Sequence, residues 1–437
     1  MDFLNFLVFL LAGWEAAFFS YLCKKIGLTM MKKLVCALVA TVMALGCWGQ
    51  ESEFGMWFKN RTLRVDYHRV GNAEMQSVRL VRYVAKNGQW GGSLTQLIDP
   101  MNNGDYRVVV KDAESGKAIY SRTYGSLFSE YCGTDEGKKK MVTYEEVVQV
   151  PMPLKAVDIV METRGKDQEF HTTGMFHFDP KKNKPERRQS RHAKRLQYKG
   201  NSNWKVDVAI VAQGYEKEPA KLKSDFERMK NVILSEEPFA SRKDDFNIWG
   251  IEGDAGAKYG TLGADRYLMT DELFKLHDLL DGVPFDHILI LVNNDKYGGG
   301  GIYNFYAVSS TNKMSDMVTP HELGHSIGGL ADEYVDENLS YTEIYKGEFE
   351  PVEPNITSLK DFDSKWKNML PEGTPIPTEP VKDLGKRDCG PLGVYEGAGY
   401  QSKGLYRPVT NCMMNHYAHF CPVCQKRLNE VFDLYTR

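Results

Sequence analysis

Between His321 and Tyr334 the chain reads HELGHSIGGLADEY, in which two histidines stand four apart and a glutamate follows the first. On a helix, residues four apart share a face, so His321 and His325 can aim imidazole nitrogens at one zinc ion while Glu322 reaches the water it activates. Glu322 would then be a general base, taking a proton from water and handing it to a leaving amine. The chemistry is hydrolysis without a covalent intermediate. Polar residues on a half-buried helix are the bland reading, and the full spacing together with the glycines and carboxylates that follow argues against it.

A catalytic zinc takes three protein ligands and keeps one position open, so the third must come from beyond the helix. Gly328 and Gly329 can end the helix at positive φ and turn the chain back, returning Asp332 or Glu333 to the metal. In the pattern H-E-x-x-H-x-x-G-x-x-H the last ligand follows the turning glycine by three. Counted from Gly328 that residue is Ala331, which cannot ligate, and counted from Gly329 it is Asp332. Asp332 is the first choice of third ligand, with Glu333 as its competitor.

The elements that must hold these residues can be read on either side of them. Trp204 to Ala212 and His287 to Val292 are apolar runs of buried-strand length, and Phe246 to Glu252 is a third strand. Glu218 to Ser235 and Asp271 to Leu280 carry helical periodicity. Asn293 to Gly301 ends in four consecutive glycines and reads as a close-approach bend. Ile302 to Ser309 alternates as an edge strand, the kind that takes an extended peptide by strand addition. Residues 201–437 are therefore expected to form an α/β zinc peptidase domain. Asp336 to Arg387, rich in Pro, Glu and Lys, reads as a surface insertion with a helix near Asp361 to Met369.

Upstream, residues 51–180 alternate with period two in short runs, among them Thr62 to Val70, Ser77 to Val84, Tyr106 to Val110, Ala118 to Tyr124, Val142 to Val150 and Val157 to Met161. They predict a β-sandwich with a binding or folding role, since no cluster of metal-ligating residues lies there. Cys132 reads as a small apolar residue rather than a thiol that caps a zinc. Residues 181–200 are dense in Lys and Arg and read as a solvated linker. The fold class is thus multidomain α+β, an amino-terminal β-sandwich before a zinc peptidase domain.

Two apolar runs fill the first fifty residues. Residues 31–50 begin Met-Lys-Lys, continue as a short apolar core and end in small residues, as a bacterial secretory signal peptide does. Residues 1–30 lack a basic start and are expected to be a misassigned upstream extension. Ala44-Leu45-Gly46-Cys47 approximates a lipoprotein cleavage box, with simple cleavage preferred to lipidation of Cys47. Export to the medium, the periplasm or the outer surface follows. A formal charge of −3 over 437 residues gives no ground for a nucleic-acid partner.

Cys389, Cys412, Cys421 and Cys424 crowd the carboxy-terminal end. In an exported chain two structural disulfides are expected, and a four-cysteine zinc site is the alternative. Cys421-Pro-Val-Cys424 has redox spacing, but it does not follow the first strand of a βαβ unit.

With HELGHSIGGLADEY, YEGAGYQSKGLYRP and NCMMNHY followed by FCPVC, the sequence resembles the clostridial immunoglobulin A metallo-endopeptidase family over almost the whole mature chain. The resemblance implies an exported bacterial zinc peptidase with an amino-terminal β domain and a metzincin-like catalytic domain. It carries the catalytic roles onto His321, Glu322 and His325, and onto Asp332 through the alignment of Gly329. It also implies a Met turn, with Met414 or Met413 as an apolar floor under the histidines. His416 and Tyr417 lie just beyond it and are candidates either to stabilise an oxyanion or simply to pack. The expected function is zinc-dependent endopeptidase action on a protein or peptide, with a host glycoprotein among the candidate substrates. The alternative is a surface peptide- or glycan-binding protein with a vestigial zinc domain, against which the intact Glu322 argues.

Overall fold

From Phe58 onward the alternating runs are strands. In this computed structural model residues 53–336, 345 and 349–436 are described. The upstream extension, the signal peptide and Cys47, like parts of the insertion after Asp336, lie outside the described residues. Strands β1 (Phe58–Gly71), β2 (Gln76–Ala85), β3 (Tyr106–Asp112) and β4 (Ala118–Tyr124) are followed by helix α1 (Leu127–Gly133), then β5 (Val142–Pro153), β6 (Val157–Arg164) and β7 (Phe170–Phe178). They build two antiparallel sheets, ordered β2-β1-β5 and β4-β3-β6-β7. Aromatic pairs join them: Tyr67 meets Phe176 at 5.9 Å between ring centroids, and Tyr83 meets Phe178 at 5.0 Å.

A charged pair is also buried here. Arg69 Nε lies 3.0 Å from Glu146 Oε2, and neither side chain is more than 1 % exposed. Such a pair persists only when its remaining valences are filled. Tyr67 OH donates to Glu146 Oε2 at 2.5 Å, the Arg69 guanidinium stacks 3.7 Å from the Tyr106 ring centroid, and Ser126 Oγ donates to Glu146 Oε1. Ser126 is the N-cap of α1, accepting from the Phe128 N–H. The buried network thereby fixes a short helix that the periodicity did not reveal.

The second half adds β8 (Lys194–Gln197), β9 (Val206–Gln213), helix α2 (Pro219–Ile233), β10 (Phe246–Glu252), helix α3 (Leu273–Leu279), β11 (His287–Val292), β12 (Gly299–Ile302), β13 (Tyr306–Ser310), helix α4 (Ser315–Gly328), the hairpin β14 (Tyr395–Ala398) and β15 (Gln401–Arg407), and helices α5 (Met413–His416) and α6 (Pro422–Tyr435). A six-stranded sheet runs β12-β13-β11-β9-β10-β8, parallel in its four central strands and antiparallel at both edges. Central parallel strands are covered on both faces, and β9 shows how. Val206, Val208 and Ile210 join Leu222 and Phe226 of α2, Leu323 and Ile327 of α4, and Leu428 and Phe432 of α6 in one core. Ala209 and Val211 face the other way, onto Leu273 and Leu276 of α3 and onto Leu127 and Val147 from the first half. From Trp57 onward the chain clusters as one compact unit of mixed α/β structure.

Four sequence expectations differ from what is observed. Lys194–Gln197, expected within a solvated linker, is the antiparallel edge strand β8 against β10, and its basic side chains are what a sheet edge facing water tolerates. The edge strand expected at Ile302 to Ser309 is instead an inner strand over Tyr306–Ser310, and the edge is the glycine-bearing β12. The helix expected near Asp361 to Met369 is two short 3-10 turns, Phe362–Ser364 and Lys367–Met369. No two of the five described cysteines form a disulfide.

The glycines of β12 form a strand for a steric reason. A Cβ on Gly301 would lie 2.3 Å from the Glu322 carbonyl oxygen and 3.0 Å from His325 Cβ, and one on Gly299 would lie 2.8 Å from Glu322 Oε1. Only bare backbone lets β12 pass this close to α4. Gly301→Ala is therefore expected to cost about 1–3 kcal/mol. Gly385→Ala, whose added carbon meets nothing nearer than Asp388 Cβ at 3.7 Å, should stay within about 0.5 kcal/mol. Urea unfolding of the two variants measures the difference.

Candidate metal centre

Helix α4 carries His321, Glu322 and His325 on its buried side and ends at Gly329, whose φ of 59° and ψ of 35° are left-handed. The Gly329 N–H donates to the His325 carbonyl at 2.9 Å, and the Leu330 N–H to the Gly324 carbonyl at 3.2 Å. Glycine is needed here twice over, for the positive φ and because a Cβ would fall 1.9 Å from Asn103 Nδ2. Asn103, from the first half of the chain, donates to the Gly329 carbonyl at 3.2 Å. Its fixed side chain sets the turn after the helix.

The turn brings Asp332 to the two histidines. Asp332 Oδ1 is 3.1 Å from His321 Nε2 and 3.4 Å from His325 Nε2, and the two Nε2 atoms are 3.2 Å apart. Each imidazole is oriented from its other side: His321 Nδ1 lies 2.9 Å from the Met413 carbonyl and His325 Nδ1 lies 2.6 Å from the Leu330 carbonyl. A carbonyl only accepts, so both Nδ1 atoms carry protons and both Nε2 atoms point at the same spot. Asp332 Oδ2 accepts from Tyr400 OH at 2.5 Å, whereas Oδ1 is buried without a hydrogen-bond partner. Two imine nitrogens and an orphaned carboxylate oxygen aimed at one point are a donor set for a divalent cation.

Electrostatics agrees with the geometry. Burial lowers the pKa of both imidazoles, but the Asp332 carboxylate outweighs it, raising His321 and lifting His325 to about 9. Burial pushes Asp332 up, yet the imidazoles hold it well below the usual carboxylate range. Burial raises the Glu322 carboxyl above its ordinary value, a direction that strengthens it as a base.

Glu333, the competing candidate, turns the other way. Its N–H donates to the Met414 carbonyl at 2.8 Å, and its side chain joins Cys412, Cys421 and Cys424. Adjacent residues in extended chain face opposite sides, so only one of the two can reach the histidines. Met413 and Met414 are fully buried, and a Cβ on Gly324 of α4 would lie 2.7 Å from Met414 Sδ. The methionines thus lie against the helix, and Met413 supplies the carbonyl that holds His321. Of the two residues beyond them, Tyr417 packs on the His321 ring at 5.4 Å and shares a 2.7 Å hydrogen bond with Tyr297, while His416 is exposed.

A cavity of about 520 Å³ opens over this cluster and is lined by His321, Glu322, His325 and Asp332, by Gly299–Ile302, and by Tyr297 and Tyr417. Several lining groups were not anticipated. Tyr400, at φ 69° after Gly399, belongs to the quoted YEGAGY stretch, whose two glycines were the one available signal. Glu130 comes from α1 and accepts from Tyr267 OH at 2.5 Å. No pattern in the sequence ties it to a site nearly two hundred residues later.

The chain matches the family described as IgA Peptidase M64 over residues 195–255, 252–390 and 384–432, and that described as Peptidase M64 N-terminus over residues 53–174. No curated protein matches it.

Tyr400→Phe removes the donor to Asp332 Oδ2 and leaves a buried carboxylate oxygen unpaired, at an expected cost of about 1–3 kcal/mol. Urea unfolding with chelator present, against the parent chain in the same buffer, gives the value. A change below about 0.5 kcal/mol would mean that this hydrogen bond does not hold Asp332.

Proposed function

The chain belongs to the IgA peptidase M64 family and is a peptidase, and from that premise we propose that it is an exported zinc endopeptidase with Glu322 as its general base. The observation that carries the reading is the convergence of His321 Nε2, His325 Nε2 and the unpartnered Asp332 Oδ1 beside Glu322 in one cavity. His321, His325 and Asp332 would hold the metal. Two imidazoles and one carboxylate are a usual catalytic zinc set. Zinc, when bound, supplies Lewis acidity toward water and toward the scissile carbonyl.

The remaining work falls to the chain itself. Glu322 takes the proton from the attacking water and delivers it to the leaving amine, so the same carboxyl is base and then acid. Met413 and Leu330 orient the imidazoles through carbonyls that accept from Nδ1, and Tyr400 orients Asp332 by donating to its Oδ2. Tyr417, in the cavity wall against His321, is the group placed to donate to the developing oxyanion. An extended substrate would lie along the Gly301 end of β12, whose bare backbone borders the cavity, since at Gly299 the edge carbonyl already accepts from the Leu268 N–H at 3.2 Å. Backbone recognition of that kind favours cleavage within a chain. On this reading the centre would be metzincin-like, with a carboxylate in place of the third histidine. Export rests on the lysine-led apolar segment at residues 31–50.

Glu322→Gln is expected to keep the metal and lower kcat/KM on a peptide substrate by at least about 10²–10⁴-fold. Activity within tenfold of the parent at full metal content would remove Glu322 from the mechanism.

Asp332→Ala should nearly abolish turnover and sharply weaken zinc binding to this centre. The check is zinc retained after dialysis against a competing chelator, read beside His321→Ala as a reference for loss of a ligand. Retention equal to that of the parent would transfer the third-ligand role elsewhere.

A further inference from the structure

We propose that Glu333, Cys412, Cys421 and Cys424 form a second, structural zinc site, separate from the catalytic one and independent of its assignment. All four side chains are buried, at 1 % exposure for Glu333 and 0 % for each cysteine. Their ligand atoms lie within 4.8 Å of one another. Cys412 Sγ is 3.7 Å and Cys421 Sγ 3.6 Å from Cys424 Sγ, and Glu333 Oε1 is 3.4 Å from the same sulfur.

The three distances to Cys424 Sγ match those between ligand atoms in a tetrahedral zinc shell. Zinc–sulfur bonds of about 2.3 Å at tetrahedral angles place sulfurs about 3.7–3.8 Å apart, and a carboxylate oxygen at about 2.0–2.2 Å falls about 3.6 Å from each sulfur. A disulfide needs sulfurs about 2.0 Å apart and consumes thiols in pairs. Three thiols meet here, so pairing any two would strand the third beside a buried carboxyl group. Cys389, the fourth cysteine of the sequence cluster, is not among the converging atoms and donates to the His419 carbonyl at 3.2 Å.

A second observation points to a cation. Glu333 Oε1 accepts from Asn355 Nδ2 at 2.8 Å, but Oε2 is buried with no partner. An unpaired carboxylate oxygen in this setting is costly unless positive charge sits beside it. The local chain also has the form of a metal knuckle: Cys421 is the N-cap of α6, Pro422 begins the helix, and Cys424 returns in its first turn. Thiolate donors select zinc over calcium or magnesium, and four protein ligands close the shell to substrate. Binding is not a redox step. Each S–H bond present is replaced by a sulfur–metal bond and its proton leaves to solvent, as does that of Glu333 where its carboxyl is protonated.

Such a site would tie together three segments that hold the catalytic cluster. Glu333 follows Asp332, Cys412 precedes the Met413 carbonyl that orients His321, and Cys421 and Cys424 begin the helix that packs on α4. Its metal would therefore act as a clamp behind the active centre.

The test uses the full chain purified with Zn²⁺ as the only added metal. Two zinc per chain are expected, with K-edge X-ray absorption showing sulfur at about 2.3 Å together with nitrogen and oxygen neighbours. His321→Ala with His325→Ala removes the catalytic centre and should leave one zinc per chain in a mainly sulfur shell. That arm stands whether or not the peptidase reading does. Glu333→Gln should lower the zinc content toward one per chain while preserving the three thiols. Zinc surrounded only by nitrogen and oxygen in the parent protein would overturn the proposal, as would a disulfide among Cys412, Cys421 and Cys424 after alkylation in denaturant and mass analysis.

Discussion

Two backbone carbonyls decide what this protein can do. The Met413 oxygen accepts a hydrogen bond from His321 Nδ1, and the Leu330 oxygen accepts one from His325 Nδ1, so both rings turn their Nε2 atoms to one point. Neither carbonyl lies on the face of α4 that bears the histidines. Leu330 is placed by the left-handed turn at Gly329, and Met413 by the segment that packs Met414 against Gly324. A carbonyl displaced by an ångström would release the tautomer or swing a ring, and the six-stranded sheet, the helices and the glycine strand all serve to prevent that displacement.

Charge is arranged around the same point with little surplus. Asp332 holds the imidazoles above their ordinary pKa although burial works against it, and it is itself held ionised by them. A divalent cation at that point would take over the work of those protons. Glu322 sits beside this group and is raised by burial, so one helix presents a carboxylate whose affinity for protons is set apart from that of its neighbours. The glycines of β12 make room for this carboxylate, where a single added methyl would press on Glu322 Oε1 or on its backbone.

The legible parts of the sequence were those in which local chemistry dictates local geometry. Phe246–Glu252, His287–Val292 and Ala118–Tyr124 are strands at the residues their patterns gave, and Gly329 turns the chain at the position that counting from the third-ligand pattern required. What was hidden depended on distant partners. Helix α1 is too short for a periodic signal and exists because Ser126 is tied to Glu146. The four glycines carry no propensity for a strand, so the sheet edge was read three residues too late. An oxidising setting favours disulfides among the cysteines, whereas their positions depend on Glu333, far upstream and competing in the sequence for another role. Tyr400 had only its glycine neighbours to mark it.

The bond from Asn103 to Gly329 has a consequence for modularity. The two family matches, over residues 53–174 and 195–432, invite the view of a catalytic module that could be moved without its companion. Yet the turn that delivers Asp332 rests on an amide from the first match, and Glu130 from that same region stands in the cavity wall. Selection on either half is therefore selection on both. Gene fusions or domain shuffling that part them would remove the amide that supports the turn carrying Asp332.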